Sequence, residues 1–414
     1  MHMVIRGARL EDRDEPHDIG IHDGRVAAIA PHLDDAGEVE LDADGRIASP
    51  AFVDPHIHLD KVEVAPTLPA NRSGTLGEAI ELLHQSKRAS SVAQVAERAG
   101  QVIRRAVIAG TTVLRSHVDV DTVGGLVPLR GVLAAREEHA ELCTVQIVAF
   151  PQEGILRDPG AADLMEEAIA LGADVVGGMP HWETDPESSR RHVEFCMDLA
   201  VRHDRDVDMH VDETDDPASR TFEMLVEATE RRSWGGRVTA SHCCAMAAWD
   251  APYTERMIAR AAEVGVRVIT NPATNLMLQG RHDTEPRRRG IPPVKALLAG
   301  GVTMACGQDC VNDTFYPFGV PDQLQVALIL CHAAQMSTPP EVERALAMVR
   351  SDAAAVLRLP GAGPVAVGVP ADLVVLDAAS MTEALRFQAA RRWVIHAGRI
   401  VAETHRESSL LTSW

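Results

Sequence analysis

From about residue 48 to residue 360 the chain alternates short β-branched runs with helix-sized stretches rich in Ala, Leu, Arg and Glu. This alternation constrains the fold more than any other feature. A parallel strand needs a long crossover, usually a helix, before its neighbour can pair with it. Eight runs qualify as strands: Ile47–His58, Thr111–Val118, Cys143–Phe150, Ala173–Met179, Asp206–Val211, Arg237–His242, Arg267–Thr270 and Val302–Cys306. Segments of helical period such as Val92–Ile108 and Glu187–Arg202 lie between most of them. Eight such units predict an α/β fold, a distorted (β/α)8 TIM barrel with insertions rather than an open sheet. Hydrophobic residues make up 46% of the 414 residues, enough apolar material for a core of that size.

The two ends have a different texture. Met3–Gly7, Asp18–Ile29 and Val39–Ile47 read as short strands, with hairpin signals at Asp23-Gly24 and Asp44-Gly45. Ala371–Asp377 and Arg392–Ala402 return to the same pattern near the other end. Residues 1–49 and 361–414 are therefore expected to form one small β-sandwich, and residues 50–360 the catalytic barrel.

In such a barrel chemistry sits at the C-terminal ends of the strands, and here those ends are polar. The first strand ends in His56-Ile-His58-Leu-Asp60 and the second in Ser116-His117-Val-Asp119. The third ends in Gln152-Glu153, the fourth in His181-Trp-Glu183, the fifth in His210-Val-Asp-Glu213, the sixth in Ser241-His242, and the eighth reaches Gln308-Asp309-Cys310. Alternation along a strand puts His56 and His58 on one side, so both imidazoles can reach one cation. Each motif alone is commonplace: a single His-x-His is usually a half-buried pair, and Asp212–Asp216 alone would be a solvated loop. Their convergence on one pocket is not. Imidazoles with a carboxylate suit Zn²⁺ or Fe²⁺. Such a cation lowers the pKa of bound water from about 16 toward 7. Glu213, just past its strand, can then shuttle protons.

Charge and cysteine usage narrow the partners. With 40 basic and 60 acidic residues the formal charge is −20, which argues against nucleic acid or an anionic membrane surface as partner and for a small molecule. The cysteines number seven, an odd count without framework spacing, and no C-x-x-C occurs, as expected of a reducing, cytoplasmic setting. Charges at Arg6, Arg9, Glu11, Asp12, Arg13, Asp14 and Glu15 leave no signal-peptide apolar run there, and no apolar run reaches membrane-helix length. Lys61, Lys87 and Lys295 are the only lysines.

The chain resembles the amidohydrolase superfamily through His56-x-His58, His210, His242 and Asp309. Its binuclear members carry a carboxylated lysine on strand four; no lysine lies there, so the resemblance is to the mononuclear, deaminase-type branch. Over nearly the whole chain it is similar to the bacterial cytosine deaminase family. The matching stretches are Pro55–Asp60, Asn71–Leu76, Val148–Ile155, His210–Asp216, Val238–His242, Leu278–Arg281, Arg288–Gly290 and Tyr316–Gly319. The resemblance implies one divalent metal, Fe²⁺ or Zn²⁺, held by His56, His58, His210 and Asp309. Glu213 is implied as proton shuttle to the ring nitrogen, and His242 as the group that stabilises or activates the hydroxide. Gln152 would read the amide edge of the pyrimidine and Leu76 would shape the pocket. A homo-oligomer that deaminates free cytosine or 5-methylcytosine is the implied enzyme.

Two departures stand out. Where the family carries His-Asp-Asp, this chain has Gln308-Asp309-Cys310, and Phe315 replaces a familiar tryptophan. A thiol is smaller and more apolar than a carboxylate, so Cys310 is expected to make room for a 5-methyl group, and Phe315 to enlarge the pocket slightly. The alternatives are a deaminase or amidohydrolase of another cyclic amidine (an aminotriazine such as an N-alkylammelide, creatinine or isoguanine), or a metal-free structural homologue, which the complete ligand set disfavours. Cys243-Cys244 reads as core, Arg287–Arg289 as a solvated loop face, and His117, His181 and Glu183 as groups that orient ligands or serve structure. No G-x-x-x-x-G-K or G-x-S-x-G motif supports a nucleotide-binding or serine-hydrolase reading.

Overall fold

A computed structural model describes residues 1–361 and 363–411. Ala362 and residues 412–414, which the sequence reading assigns to the terminal sandwich, lie outside the described residues. The amino-terminal strands are β1 (Met3–Ala8), β2 (His17–His22), β3 (Arg25–Ala30), β4 (Val39–Asp42) and β5 (Ile47–Pro50). The barrel follows as β6 (Phe52–Ile57), β7 (Thr111–Asp119), β8 (Thr144–Phe150), β9 (Val175–Gly178), β10 (Asp206–Val211), β11 (Val238–His242), β12 (Val266–Thr270) and β13 (Met304–Cys306). The chain ends on β14 (Leu373–Leu376), β15 (Arg391–His396) and β16 (Arg399–Glu403).

Strands β6 to β13 pair in sequence order, all in parallel, as the alternating texture predicts. The ring closes through a single bridge between Ile57 and Asp309. There the Asp309 amide donates to the His56 carbonyl at 2.7 Å and the His58 amide donates to the Asp309 carbonyl at 3.1 Å. Helices such as Val92–Ile108 and Pro186–Arg202 cover the outside, each burying one apolar face against the strands. The long helix Val92–Ile108 starts with a capping box between Ser91 and Gln94, which satisfies two backbone donors at its first turn. Among the described residues no helix is long and apolar enough to cross a membrane.

The terminal segments build two four-stranded sheets, β3-β2-β1-β4 and β16-β15-β14-β5. They share one core that includes Ile5, Ile19, Ile21, Leu373, Val375, Trp393 and Ile395. Two expectations need correcting here. The run Ile47–His58 is two strands: Ile47–Pro50 joins the terminal sheet beside β14, and Phe52–Ile57 begins the barrel. Pro50 lacks the amide that a continuous ladder would need, and the chain changes sheets just after it. Asp23-Gly24 does turn a hairpin between β2 and β3, both residues with positive φ, as a type I′ turn requires. Asp44-Gly45 has the same backbone signs but connects β4 and β5, which belong to different sheets. A tight turn fixes the local reversal and not the sheet that the next strand joins.

Candidate active site

Four buried residues contributed by β6, the residue just past it, β10 and the loop after β13 converge at the C-terminal end of the barrel. Ligand atoms of His56, His58, His210 and Asp309 lie within 4.8 Å of one another. His58 Nε2 is 3.3 Å from Asp309 Oδ1 and 3.2 Å from His210 Nε2, and His56 Nε2 is 3.6 Å from the same carboxylate oxygen. His56 Nε2 and Asp309 Oδ2 have no hydrogen-bond partner in the protein. Buried polar atoms left in this way are costly, and two imidazole nitrogens facing each other add to the cost. A divalent cation among them relieves both, so the residues fit a metal. Burial, reinforced by Lys61 at His58 and by His242 at His210, pushes both imidazoles well below their ordinary range. They are held in the neutral form that binds metal.

A chain of buried groups orients His56. Arg115 on β7 donates to Asp208 Oδ2 on β10 at 3.0 Å, and Ser241 Oγ on β11 donates to Asp208 Oδ1 at 2.8 Å. The serine proton is thus engaged, so at 3.0 Å Ser241 Oγ accepts from His56 Nδ1. Protonation at Nδ1 leaves the Nε2 lone pair of His56 directed into the cluster, the tautomer a metal ligand needs. His117 stacks on His56 with ring centroids 4.0 Å apart, and Phe150 stacks on His210 at 4.1 Å. Gly307 permits this close approach of the last strand to the first, since a Cβ there would lie 2.7 Å from His56 Cβ.

Glu213 and His242 meet beside the cluster. His242 Nδ1 is 3.2 Å from Glu213 Oε1. Asn275, on the helix Pro272–Leu278, donates to Glu213 Oε1 at 3.1 Å and lies 3.2 Å from His242 Nδ1 through its own Oδ1. Burial, and then the charge of Asp309, push the Glu213 carboxyl well above its ordinary range, which favours its protonated form. Burial lowers the His242 imidazole to about 3, which keeps it neutral. His242 and Asp309 both adopt left-handed backbone, with φ of 74° and 69°, a conformation that costs energy and clusters at functional sites.

A cavity of about 260 Å³ opens onto this cluster, lined by His58, Leu76, Gln152, His210, Glu213, Asp309, Cys310 and Phe315 together with Lys61, Thr274 and Leu278. It therefore gathers every residue expected at the site except His56 and His242, which lie behind its wall. The Cys310 thiol is buried and pushed well above its usual range, so it is uncharged. A larger apolar cavity of about 980 Å³ lies at the other end of the barrel, lined by Pro50, Val53, Thr144 and Leu373 among others. Among the described residues it holds no cluster of metal-ligating side chains.

The remaining expectations sort by contact. His117 packs against His56 and lies 3.7 Å from Asp208. His181 reaches only the His210 carbonyl, at 3.3 Å. Glu183 is structural: it pairs with His192 at 2.8 Å and accepts from the amides of Ile155, Leu156 and Arg157. Cys243 and Cys244 are buried core, and Arg288 is tied to Asp283 within its own loop. Sequence reasoning missed Asn275, whose only signal is its place one helical turn after Asn271 at a strand end. It also missed Lys61, legible solely as a lysine three residues past His58. Its ammonium and that of Lys87 approach the two oxygens of Asp119 at 2.8 and 2.7 Å. Asp119 belongs to a second acidic grouping with His58 and Asp60. The two lysines already supply that grouping with positive charge, so nothing there calls for a second metal.

The sequence profile described as the amidohydrolase family matches residues 39–402. The chain is 31% identical over 409 residues to N-isopropylammelide isopropyl amidohydrolase of Pseudomonas sp. (strain ADP), covering 97% of each chain. The structure of 5-methylcytosine deaminase from Klebsiella pneumoniae liganded with 5-fluorocytosine superposes with a TM-score of 0.94 at 38% identity, over 99% of both chains. That of N-isopropylammelide isopropylaminohydrolase from Burkholderia multivorans gives a TM-score of 0.84 at 32% identity, over 97% of this chain and 98% of that one. Profile, full-length identity and barrel agree: this chain is a member of the amidohydrolase family.

Proposed function

We propose that this enzyme hydrolytically deaminates a free pyrimidine base, converting cytosine or 5-methylcytosine to uracil or thymine and ammonia. The observation that carries the reading is the single small cavity in which the His/Asp cluster, Glu213 and the amide of Gln152 meet. Likeness along the whole chain to a 5-methylcytosine deaminase supports it. His56, His58, His210 and Asp309 would hold one Fe²⁺ or Zn²⁺ ion, since three imidazoles and a carboxylate accommodate either. When bound, such an ion acidifies water and so supplies the nucleophile at neutral pH. Glu213 gives its proton to the ring nitrogen beside the amine-bearing carbon. Asp309 or His242 takes the proton released by the attacking water and passes it to the amine, the C–N bond breaks, and ammonia leaves. Gln152 reads the amide edge of the ring, while Leu76, Cys310 and Phe315 enclose its other edges. In this proposal residues 50–360 carry the catalysis, and the terminal sandwich, residues 1–49 with 361–414, braces the barrel from below.

Cys310 supports a preference for 5-methylcytosine. A buried methyl contributes roughly 1 kcal/mol in a fitted apolar pocket, about a fivefold preference. Introducing Cys310→Asp should erase or invert the ratio of kcat/KM for 5-methylcytosine over cytosine; an unchanged ratio would sink this assignment. A second reading, hydrolysis of an aminotriazine, draws support from the identity to N-isopropylammelide hydrolases. An ammonia- and amine-release screen over cytosine, 5-methylcytosine, isoguanine, creatinine and aminotriazines, with iron- and zinc-loaded protein, separates the two. Turnover of a triazine and of neither pyrimidine would overturn the pyrimidine assignment.

A further inference from the structure

Lys61 is only 4% exposed, yet its side chain borders the cavity beside Gln152, Cys310 and Phe315. Its Nζ donates to Asp119 Oδ1 at 2.8 Å and to Gln152 Oε1 at 2.7 Å. It also lies 5.4 Å and 5.6 Å from the ring centroids of Phe150 and Phe315. The charge on this ammonium is only partly offset. Asp119, its one carboxylate partner in direct contact, is shared with Lys87, whose Nζ also donates to Asp121 at 2.6 Å. Burial disfavours the charged form, but Asp119 and Asp60 outweigh burial and keep the lysine protonated.

An ammonium has three donors. Protein acceptors engage two of them, and the third is left at the cavity wall. The contact with Lys61 also settles the orientation of Gln152. Its Oε1 is committed to the lysine, and Nε2, 3.2 Å from Met179 Sδ, keeps a second hydrogen for a ligand. This end of the cavity therefore presents two adjacent donors, one of them cationic, within an apolar surround of Leu76, Leu278 and Phe315. Such an edge is complementary to a strong acceptor. Without one, a binding event would cover the ammonium and strip its hydration with nothing in return.

We propose that Lys61 is a specificity-determining residue that donates a charge-assisted hydrogen bond to the ring carbonyl oxygen of the bound heterocycle. The site then selects oxo-bearing rings over the same aminopyrimidine lacking the oxo group. The inference rests on the deaminase reading above for the identity of the ring, and on the cavity for the interaction itself.

The test is a cycle between one protein donor and one substrate oxygen. Cytosine and 4-aminopyrimidine, which lacks the ring oxygen, are titrated calorimetrically into zinc-loaded protein that carries Glu213→Gln to prevent turnover. With Lys61 present, cytosine should bind roughly 10- to 100-fold more tightly, the range of a hydrogen bond to a charged group. Lys61→Met should collapse that ratio to within about threefold while leaving 4-aminopyrimidine affinity nearly unchanged. The double variant Lys61→Met/Asp119→Asn, which leaves no unpaired carboxylate from the pair, should give the same collapsed ratio. Equal weakening of both probes, a ratio that survives in both variants, or no binding of cytosine in the presence of Lys61 would overturn the inference. Ammonia release by the protein with Glu213 intact reads the function separately. A Lys61-dependent ratio without ammonia release sinks the deaminase reading alone, and ammonia release with an unchanged ratio sinks this one alone.

Discussion

At the C-terminal ends of the barrel strands the buried side chains are His56, His58, His117, Asp119, His210, Glu213 and Asp309. At the opposite end the barrel meets the terminal sandwich, and there the buried residues include Val53 and Val113, with Ile5, Ile19 and Trp393 beyond. The first end keeps orphaned nitrogens and carboxylates of the His/Asp cluster in a small cavity; the second is lined mainly by apolar side chains around the larger cavity and bordered by the ion pair between Arg350 and Glu11. Unmet polar groups weaken a fold, and apolar burial strengthens it. The apolar end therefore contributes burial and the polar end the candidate chemistry, and changes at the two ends should separate in what they disturb.

Glu213→Gln breaks the chemical end most severely. It keeps the shape and the contact with Asn275 but loses the transferable proton, so kcat should fall by about 10²- to 10⁴-fold. An unchanged melting temperature in the same preparation would show that the loss is chemical. Trp393→Ala does the reverse. The side chain is 6% exposed in the sandwich core, and its truncation should lower stability by about 3–5 kcal/mol. The kcat/KM of the protein that remains folded should stay within a factor of about two. A parallel loss of both quantities would mean that the two ends are coupled.

Ser241→Ala sharpens the contrast within the chemical end. It removes the acceptor that fixes the His56 tautomer and a donor to Asp208, so metal affinity should drop by about 10- to 100-fold. Competition with a chromogenic chelator measures this, and an unchanged affinity would remove Ser241 from the ligand support. The smallest effect is expected from pH. Burial lowers the His117 imidazole to about 4, against an ordinary value near 6.5. The unfolded chain then binds a proton that the folded protein refuses. The stabilisation is present above about pH 6.5 and lost as the pH falls toward 4. The melting temperature of metal-free protein should decline across that window, where the other depressed imidazoles act in the same sense, and His117→Phe, which keeps a ring against His56, should make the decline shallower.

Much of this was legible in the sequence for a physical reason. Barrel strands buried on both faces read as continuous apolar runs, and their chemistry must lie at one set of ends. The polar strand ends that include His56, His58, His210, Glu213, His242 and Asp309 could therefore be located from position, while the resemblance singled these six out among them. The split of Ile47–His58 was not legible, because both halves are apolar and β-branched and only pairing with β14 distinguishes them. Lys61 and Asn275 were missed because their importance lies in which partners they meet: Gln152 comes from a different strand end and His242 from another again. Local pattern carries periodicity, and convergence between distant segments leaves no trace in it.

The bridge between Ile57 and Asp309 has one further consequence. The same residue supplies the backbone seam that shuts the ring and the carboxylate proposed to complete the ion-binding set. A nascent chain lacking its last barrel strand would hold three histidines and no fourth ligand, so the site cannot mature ahead of the fold. An ion held by the proposed ligands would act as a clasp on the seam, and amide exchange at His58 and Asp309 would then gauge its occupancy.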